Sequence, residues 1–408
     1  MNELNKLYLL TSLHCQGVLF LKKCYSSAVP VESSKCPFLL LLPHVILVCH
    51  SVAQGLENWH TFIEDCGTLA IMSMYRNTIW FLNGIHQYTR KGYEAASKDF
   101  EPQDLNVSVV GRSFMVTGAN SGIGRATAMA IAKKGGTVHM VCRNRDKAEE
   151  ARTDIVNESG NTEVYIHIVD MSQTRKVWEF AESFRKQYPS LNVLINNAGC
   201  MVHKRELTAE GLEKNFATNT MGVYVLTQTL IPLLQKSRDP RVITVSSGGM
   251  LVQKLKVNDL QSEKGYFDGV MIYAQNKRQQ VVLTQQWAKA NPVIHFSVMH
   301  PGWVDTPAVR SSMPQFHHMM GDRLRGVEQG ADTVVWLALS RVASRTCSGQ
   351  FFQDRKRVPV HLPLAWTHSS AEEIQSFMTQ LETLAQAIQL QPDVDLNGPL
   401  SPSRPQFV

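Results

Sequence analysis

The chain has 408 residues, 44% of them hydrophobic and 19% charged, which is ordinary globular composition with ample apolar material for a core. Its net charge of +6 is mild and its basic residues are scattered, so a nucleic-acid partner is excluded from the expectations. Eight cysteines include no CxxC pair and no Cys/His set with zinc spacing, so no metal site is expected. Cys142, Cys200 and Cys347 read as lone thiols of a reduced, cytoplasmic compartment.

Residues 1–72 differ from the rest. They hold two apolar runs, LYLLTSLHCQGVLFL (7–21) and FLLLLPHVILVC (38–49), each shorter than the ~18–20 residues of a spanning helix. The first run lacks a basic leader and is followed by Lys22 and Lys23, which argues against a signal peptide. The expectation is a poorly defined extension, with the working protein starting near Met72 or Met74 and a membrane anchor as the alternative. Residues 73–108 read as an amphipathic helix and linker. Over 74–90 the spacing puts Tyr75, Ile79, Trp80, Leu82 and Ile85 on one side, to pack on the body or, alternatively, to lie on a membrane surface.

From 109 to 358 the pattern becomes regular. The runs SFMVTG, TVHMVCR, VYIHIVD, NVLINNAG, RVITVSS and IHFSVMHPG alternate with amphipathic helical stretches, and a helix over about 330–341 and the run SGQFFQD (348–354) complete the set. Strand and helix taking turns imply a parallel sheet with helices on both faces: an α/β, Rossmann-like doubly wound single domain with terminal extensions. Residues 359–390 form a tail and a helix opened by a capping box, Ser370 to Glu373, with Ile374, Met378, Leu381, Leu384 and Ile388 at helical spacing. Residues 391–408, with four prolines, are expected to be disordered.

The turn TGANSGIG (117–124) follows one strand directly and opens a helix. Gly118 permits the tight turn, and Gly122 and Gly124 clear space for a pyrophosphate and the adjoining strand. Asn120, Ser121 and Ile123 complete the cradle, and the helix N-terminus offers free amides to the anion. At the end of the next strand, where NAD(H) calls for an acid, stands Arg143 in VCRNR. A guanidinium suits a 2′-phosphate, so the expected cofactor is NADP(H); Arg125 and Arg145 either assist or face water.

Together with NNAG (196–199), the YAQNK stretch (273–277) and Pro301–Gly302 followed by Thr306, this turn resembles the short-chain dehydrogenase/reductase family over about residues 110–355. The resemblance implies that Asn219, Ser247, Tyr273 and Lys277 are catalytic. It places Asp170 near the adenine, Asn197 and Gly199 beneath the cofactor, and Pro301, Gly302 and Thr306 along it. Ser247 is preferred over Ser246, whose place at the strand end suggests burial. Dimers or tetramers are compatible with the family, and no periodicity selects one.

The chemistry explains the pairing. Carbonyl reduction needs a proton as charge grows on oxygen, and a free tyrosine, with a pKa near ~10, is a poor base for the reverse step. Lys277, one turn beyond Tyr273, is expected to lower that pKa by its charge. Ser247 would bond the carbonyl oxygen, and Asn219, by resemblance, would hold a water linking Lys277 to solvent. Segments 200–207, 248–255 and 303–324 are rich in Met, Val, Leu and aromatics, and suggest an apolar pocket lined by Ser247, Met250, Met313 and Phe316 under a mobile lid. The expected function is NADP(H)-dependent interconversion of a lipophilic carbonyl compound and its alcohol. The alternatives are a catalytically weak NADP-binding redox sensor or scaffold, and a membrane-surface interaction protein.

Overall fold

The computed structural model describes residues 59–390, with side chains from residue 72 onward. The expectations for the apolar runs at 7–21 and 38–49 and for the tail from 391 fall outside the described residues.

Helix α1 (Trp59–Gln87) precedes a shorter helix α2 (Arg90–Ala96), so the boundary expected at 72 falls inside one continuous helix. The α/β body then alternates β1 (Ser113–Thr117), α3 (Gly122–Lys133), β2 (Thr137–Cys142), α4 (Arg145–Ser159), β3 (Val164–Ile168), α5 (Thr174–Gln187) and β4 (Val193–Asn196). It continues through α6 (Gly222–Gln235), β5 (Arg241–Val245), α7 (Gly269–Ala290) and β6 (His295–Met299). Two short helices, α8 (Pro307–Ser312) and α9 (Pro314–Met320), then lead to α10 (Val327–Leu339), β7 (Gln350–Gln353), a two-residue β8 (Lys356–Arg357) and the final helix α11 (Ala371–Leu390).

One sheet of order β3-β2-β1-β4-β5-β6-β7-β8 results, parallel throughout except for the β7–β8 pair. Every residue of β1, β4 and β5 is buried, as continuous apolar runs require when helices cover both faces. One face packs on α3, α4 and α10 through Ile131, Ile155 and Val334; the other on α5, α6, α7 and α11 through Phe184, Leu226, Leu283 and Leu381. The capping box of α11 forms as expected, with Ser370 N donating to Glu373 Oε2 at 2.8 Å and Glu373 N to Ser370 Oγ at 3.2 Å.

Helix α1 packs on the body with part of the face its spacing suggests, Tyr75, Ile79 and Trp80, but not with all of it. Leu82 and Ile85 are exposed, whereas Ile79, Trp80, Phe81 and Tyr88 pack inward. The reason lies in Gly84, where a Cβ would collide with the Trp303 ring. That close approach brings the rings of Trp80, Phe81 and Tyr88 to 5.7–5.8 Å from that of Trp303. Arg325 locks the junction. Its guanidinium donates to Thr89 O (3.2 Å), Gln87 O (2.6 Å) and Pro301 O (3.1 Å), and pairs with Asp354 through two bonds of 2.6 and 2.9 Å.

Candidate active site

The order of the sheet reverses between β1 and β4, and the carboxyl ends of those strands carry the glycine turn and the NNAG loop, as the switch point of such a sheet requires. Gly118 and Gly122 sit at φ +67° and +53°, where L side chains are strained. A Cβ on Gly118 would stand 3.1 Å from Ala198 Cα, and one on Gly122 3.3 Å from Thr306 Cγ2, so the β4 loop and the segment after β6 both close on the turn. Gly124 does a different job: a Cβ there would strike Gly118 O, so this glycine serves helix–strand contact. Asn197 fastens the two loops, its Nδ2 donating to Thr117 O at 2.9 Å, and Thr117 Oγ1 accepts from Asn197 N and Ala198 N at 3.0 and 2.9 Å. Ser121 opens α3 without a side-chain cap, leaving the first amides of the helix to a ligand.

Arg143 stands exposed at the tip of β2 and lines one shallow groove with Asp170 and Gln173. Neither alternative arginine shares that freedom: Arg125 pairs with Asp154 at 2.6 Å and Arg145 with Glu149 at 3.8 Å. Asp170 spends one carboxylate oxygen on its own turn, accepting from Ser172 N and Oγ at 2.9 and 2.8 Å. Pro301 follows β6, Gly302 takes φ +82° against the Arg325 side chain, and Thr306 caps α8 by accepting from Val309 N at 3.2 Å.

Asn219, Ser247, Tyr273 and Lys277 converge beside this turn. Ser246 is buried and donates to Lys277 O at 2.9 Å, while Ser247 is half-buried with Oγ accepting from Gly249 N at 3.2 Å. A Cβ on Gly249 would lie 3.6 Å from Ser247 Oγ and 3.7 Å from Ala274 Cβ, which sets the serine beside the residue after Tyr273. Lys277 is buried one turn on, its Nζ 5.2 Å from the Tyr273 ring centroid. A Cβ on Gly199 would stand 3.2 Å from Asn219 Oδ1 and 3.5 Å from Lys277 Nζ, so the NNAG loop closes over both.

Two features escaped the sequence. Asn219 lies in a π-helical turn, Ala217–Met221, a geometry that α-helical spacing cannot reveal. Its side chain is taken up by the loop, accepting from Cys200 N and donating to Cys200 O at 2.8 Å each, and by Asn276 Oδ1 at 3.2 Å. The second is Gln280. Its Oε1 accepts from Lys277 Nζ at 3.1 Å and its Nε2 donates to Asn219 O at 2.7 Å. A protein amide thus joins the lysine to the asparagine by direct hydrogen bonds. Glutamine at one turn from lysine was the only signal, and it is a common one.

The electrostatics correct one expectation. Burial pushes the Tyr273 phenol above its ordinary range, with the nearby Cys200 adding to the effect, and burial lowers Lys277 to about 7. Desolvation therefore outweighs the ion-to-phenol effect in the protein alone, and the lysine nitrogen also donates to Val245 O (2.9 Å) and Gln280. Burial likewise raises the Cys200 thiol, against the weaker pull of Thr218 and of the Arg143 charge.

The substrate residues divide. Met250 does not line the cleft: the 3-10 turn Gly248–Val252 rotates it inward, where it is fully buried with Leu251, Val281 and Phe351. Phe316 packs edge-on against Trp303, centroids 5.3 Å apart, which fastens α9 to α1. Met313 is half-buried between α8 and α9. The α8 end is latched to the loop after NNAG: His203 Nε2 meets Ser312 O at 2.7 Å, and Ser312 Oγ donates to Met201 O at 3.2 Å.

A glycine cradle at the switch point of a doubly wound sheet, with a tyrosine and lysine on the helix beside it, defines a nucleotide-dependent oxidoreductase acting on alcohol or carbonyl groups. The chain belongs to the short chain dehydrogenase family, which it matches over residues 112–315. It is 64% identical over 314 residues to dehydrogenase/reductase SDR family member 12 of Bos taurus, an alignment covering 77% of this chain and 99% of that protein. It is 34% identical over 281 residues to retinol dehydrogenase 12 of Homo sapiens, covering 68% of this chain and 88% of that one. An uncharacterized protein of solved structure from Mycobacterium paratuberculosis shares the fold at 23% identity and a TM-score of 0.51, covering 69% and 95% of the two chains.

Proposed function

We propose that the protein is an NADP(H)-dependent oxidoreductase that interconverts a lipophilic carbonyl compound and its alcohol, with Tyr273 as the proton donor and acceptor. The observation that carries the reading is the convergence of Ser247, Tyr273, Lys277 and Asn219 at one side of the glycine turn. The residues present suit the dinucleotide: two left-handed glycines, an uncapped helix N-terminus, and at the ribose end an arginine free of ion pairs among the described residues.

The nicotinamide cofactor supplies or accepts the hydride when bound. Everything else is done by side chains. Ser247 keeps its hydroxyl proton for a ligand oxygen, since its Oγ only accepts within the protein. Its bond strengthens as negative charge grows there. Tyr273 makes no hydrogen bond through its hydroxyl to the described residues, and burial keeps its proton in place at neutral pH. That favours donation to the developing alkoxide, hence carbonyl reduction near neutrality. Lys277, poised at about 7, exchanges protons readily at that pH, and Gln280 and the π-turn fix its position.

An apolar substrate is supported by the lid, where Met313 and Met319 are accessible, and by the likeness to proteins named retinol dehydrogenase. The test is NADPH oxidation by the full chain against aldehydes and ketones of rising apolar size. Turnover that improves with apolar length supports the reading; activity confined to short polar carbonyls overturns the substrate class.

A further inference from the structure

Three surface segments that are distant in sequence meet along helix α1. The outward side of α1 carries Met74, Leu82 and Ile85, of which Met74 and Leu82 are 55% and 57% exposed. On one flank Phe81 packs against Trp303, which also holds Phe316 of α9, so that helix with its exposed Met319 lies alongside. On the other flank Tyr75 donates to Pro363 O at 3.0 Å, and Ile79 packs against the same buried cluster as Val358 and Val360, which brings up the segment 358–366.

That last segment holds two unusual residues. Leu364 and Trp366 both sit at φ +53°, in the left-handed region that bulky side chains avoid, and both face outward at 75% and 68% exposure. Strain retained to display apolar side chains to solvent points to a partner rather than to packing. The charge pattern says which. No acidic residue occurs between Asp65 and Glu94, between Asp305 and Asp322, or between Asp354 and Glu372, in a chain that carries 35 of them. These three stretches include the six exposed apolar residues of this face, and they contribute the exposed Arg90, Lys91 and Arg357. The acid that reaches this face, Asp305, is paired with Arg310 at 2.7 Å and meets His317 of α9 at 3.0 Å, and apolar and aromatic side chains accompanied by basic ones unpaired among the described residues complement an anionic lipid surface.

We propose that this face, formed by α1, α9 and the 358–366 segment, docks on an anionic bilayer, with Leu364 and Trp366 entering the headgroup layer. No helix among the described residues is long and apolar enough to span a membrane, so the contact is peripheral. The face borders the lid, so a lipophilic substrate would reach the cleft from the bilayer. Only that delivery role rests on the proposed function, and the docking does not.

The test is co-sedimentation of the full chain with phosphatidylcholine vesicles, with and without phosphatidylserine, in the absence of any substrate. The native protein should pellet with the phosphatidylserine vesicles. The double variant Leu364→Gly/Trp366→Gly should bind at least tenfold more weakly, while its melting temperature stays equal or rises, because glycine relieves the left-handed strain. Vesicle binding within twofold of the native protein would overturn the proposal by assigning attachment to other parts of the chain. So would a native protein that ignores the vesicles, or one that forms a dimer which the variant dissolves without lipid. A large fall in melting temperature would show instead that the two side chains serve packing.

Discussion

Lys277 and Tyr273 stand one turn apart with the lysine nitrogen 5.2 Å from the phenol ring centroid, yet that nitrogen donates to Val245 O and Gln280 Oε1. The lysine is thus anchored in the protein before any ligand arrives. The Tyr273 hydroxyl makes no hydrogen bond to the described residues.

Burial of Lys277 makes stability depend on pH. Its ordinary pKa of 10.5 applies to the unfolded chain, and about 7 to the folded one. Between those values the unfolded chain holds a proton that the folded protein does not, so this group's contribution rises with pH and its full burial penalty is felt below pH 7. Lys277→Met should therefore gain on the native protein by more at pH 6 than at pH 9.5, a difference on the order of 2–4 kcal/mol. Urea midpoints at both pH values measure it; equal differences would mean that the lysine titrates normally.

Gln280 joins Lys277 to the π-turn of Asn219. Gln280→Leu keeps the volume and removes both bonds. Turnover should fall about tenfold, the worth of one hydrogen bond of ~1.4 kcal/mol, while NADPH affinity shifts less than about threefold. Steady-state kinetics with fluorescence titration separate the two, and a change in affinity alone would make Gln280 a cofactor residue.

Arg143 is exposed at the tip of β2 and free of ion pairs among the described residues, whereas Arg125 and Arg145 are committed to acids. NADPH should bind at least about tenfold more tightly than NADH, and Arg143→Ala should erase that preference by weakening NADPH alone. Calorimetry decides; equal affinities in the native protein would remove the arginine from the argument.

Arg325 and Asp354 form a buried pair, and the guanidinium also gathers three carbonyls, Gln87 at the end of α1, Thr89 just before α2, and Pro301. Arg325→Met leaves a buried carboxylate alone and should cost about 3–5 kcal/mol in denaturant unfolding. Arg325→Lys keeps charge without the bidentate fork and should lose less. A loss under about 1 kcal/mol would mean that α1 is held by its aromatic face alone.

The sheet could be read from the sequence because its strands are continuous apolar runs, and only a fully covered parallel sheet tolerates such runs. The cofactor turn was equally plain, since glycine at 118, 122 and 124 answers a steric demand that no other residue meets. What escaped depended on tertiary contact. The buried face of α1 was decided by Gly84 against Trp303, and Met250 was turned inward by a 3-10 turn. The π-turn at Asn219 is clasped by Asn276, Gln279 and Gln280 from α7, residues that read in sequence as an ordinary polar helix face. The lysine's effect on the tyrosine was misjudged because charge can be read from composition and desolvation cannot.

In the proposed function Tyr273 is the group that moves the proton. Tyr273→Phe keeps the ring and removes only the hydroxyl. Carbonyl reduction should fall by roughly 10²–10⁴-fold, with NADPH affinity unchanged within about threefold. Turnover within tenfold of the native enzyme, at undiminished NADPH binding, would place the proton route elsewhere and contradict the assignment.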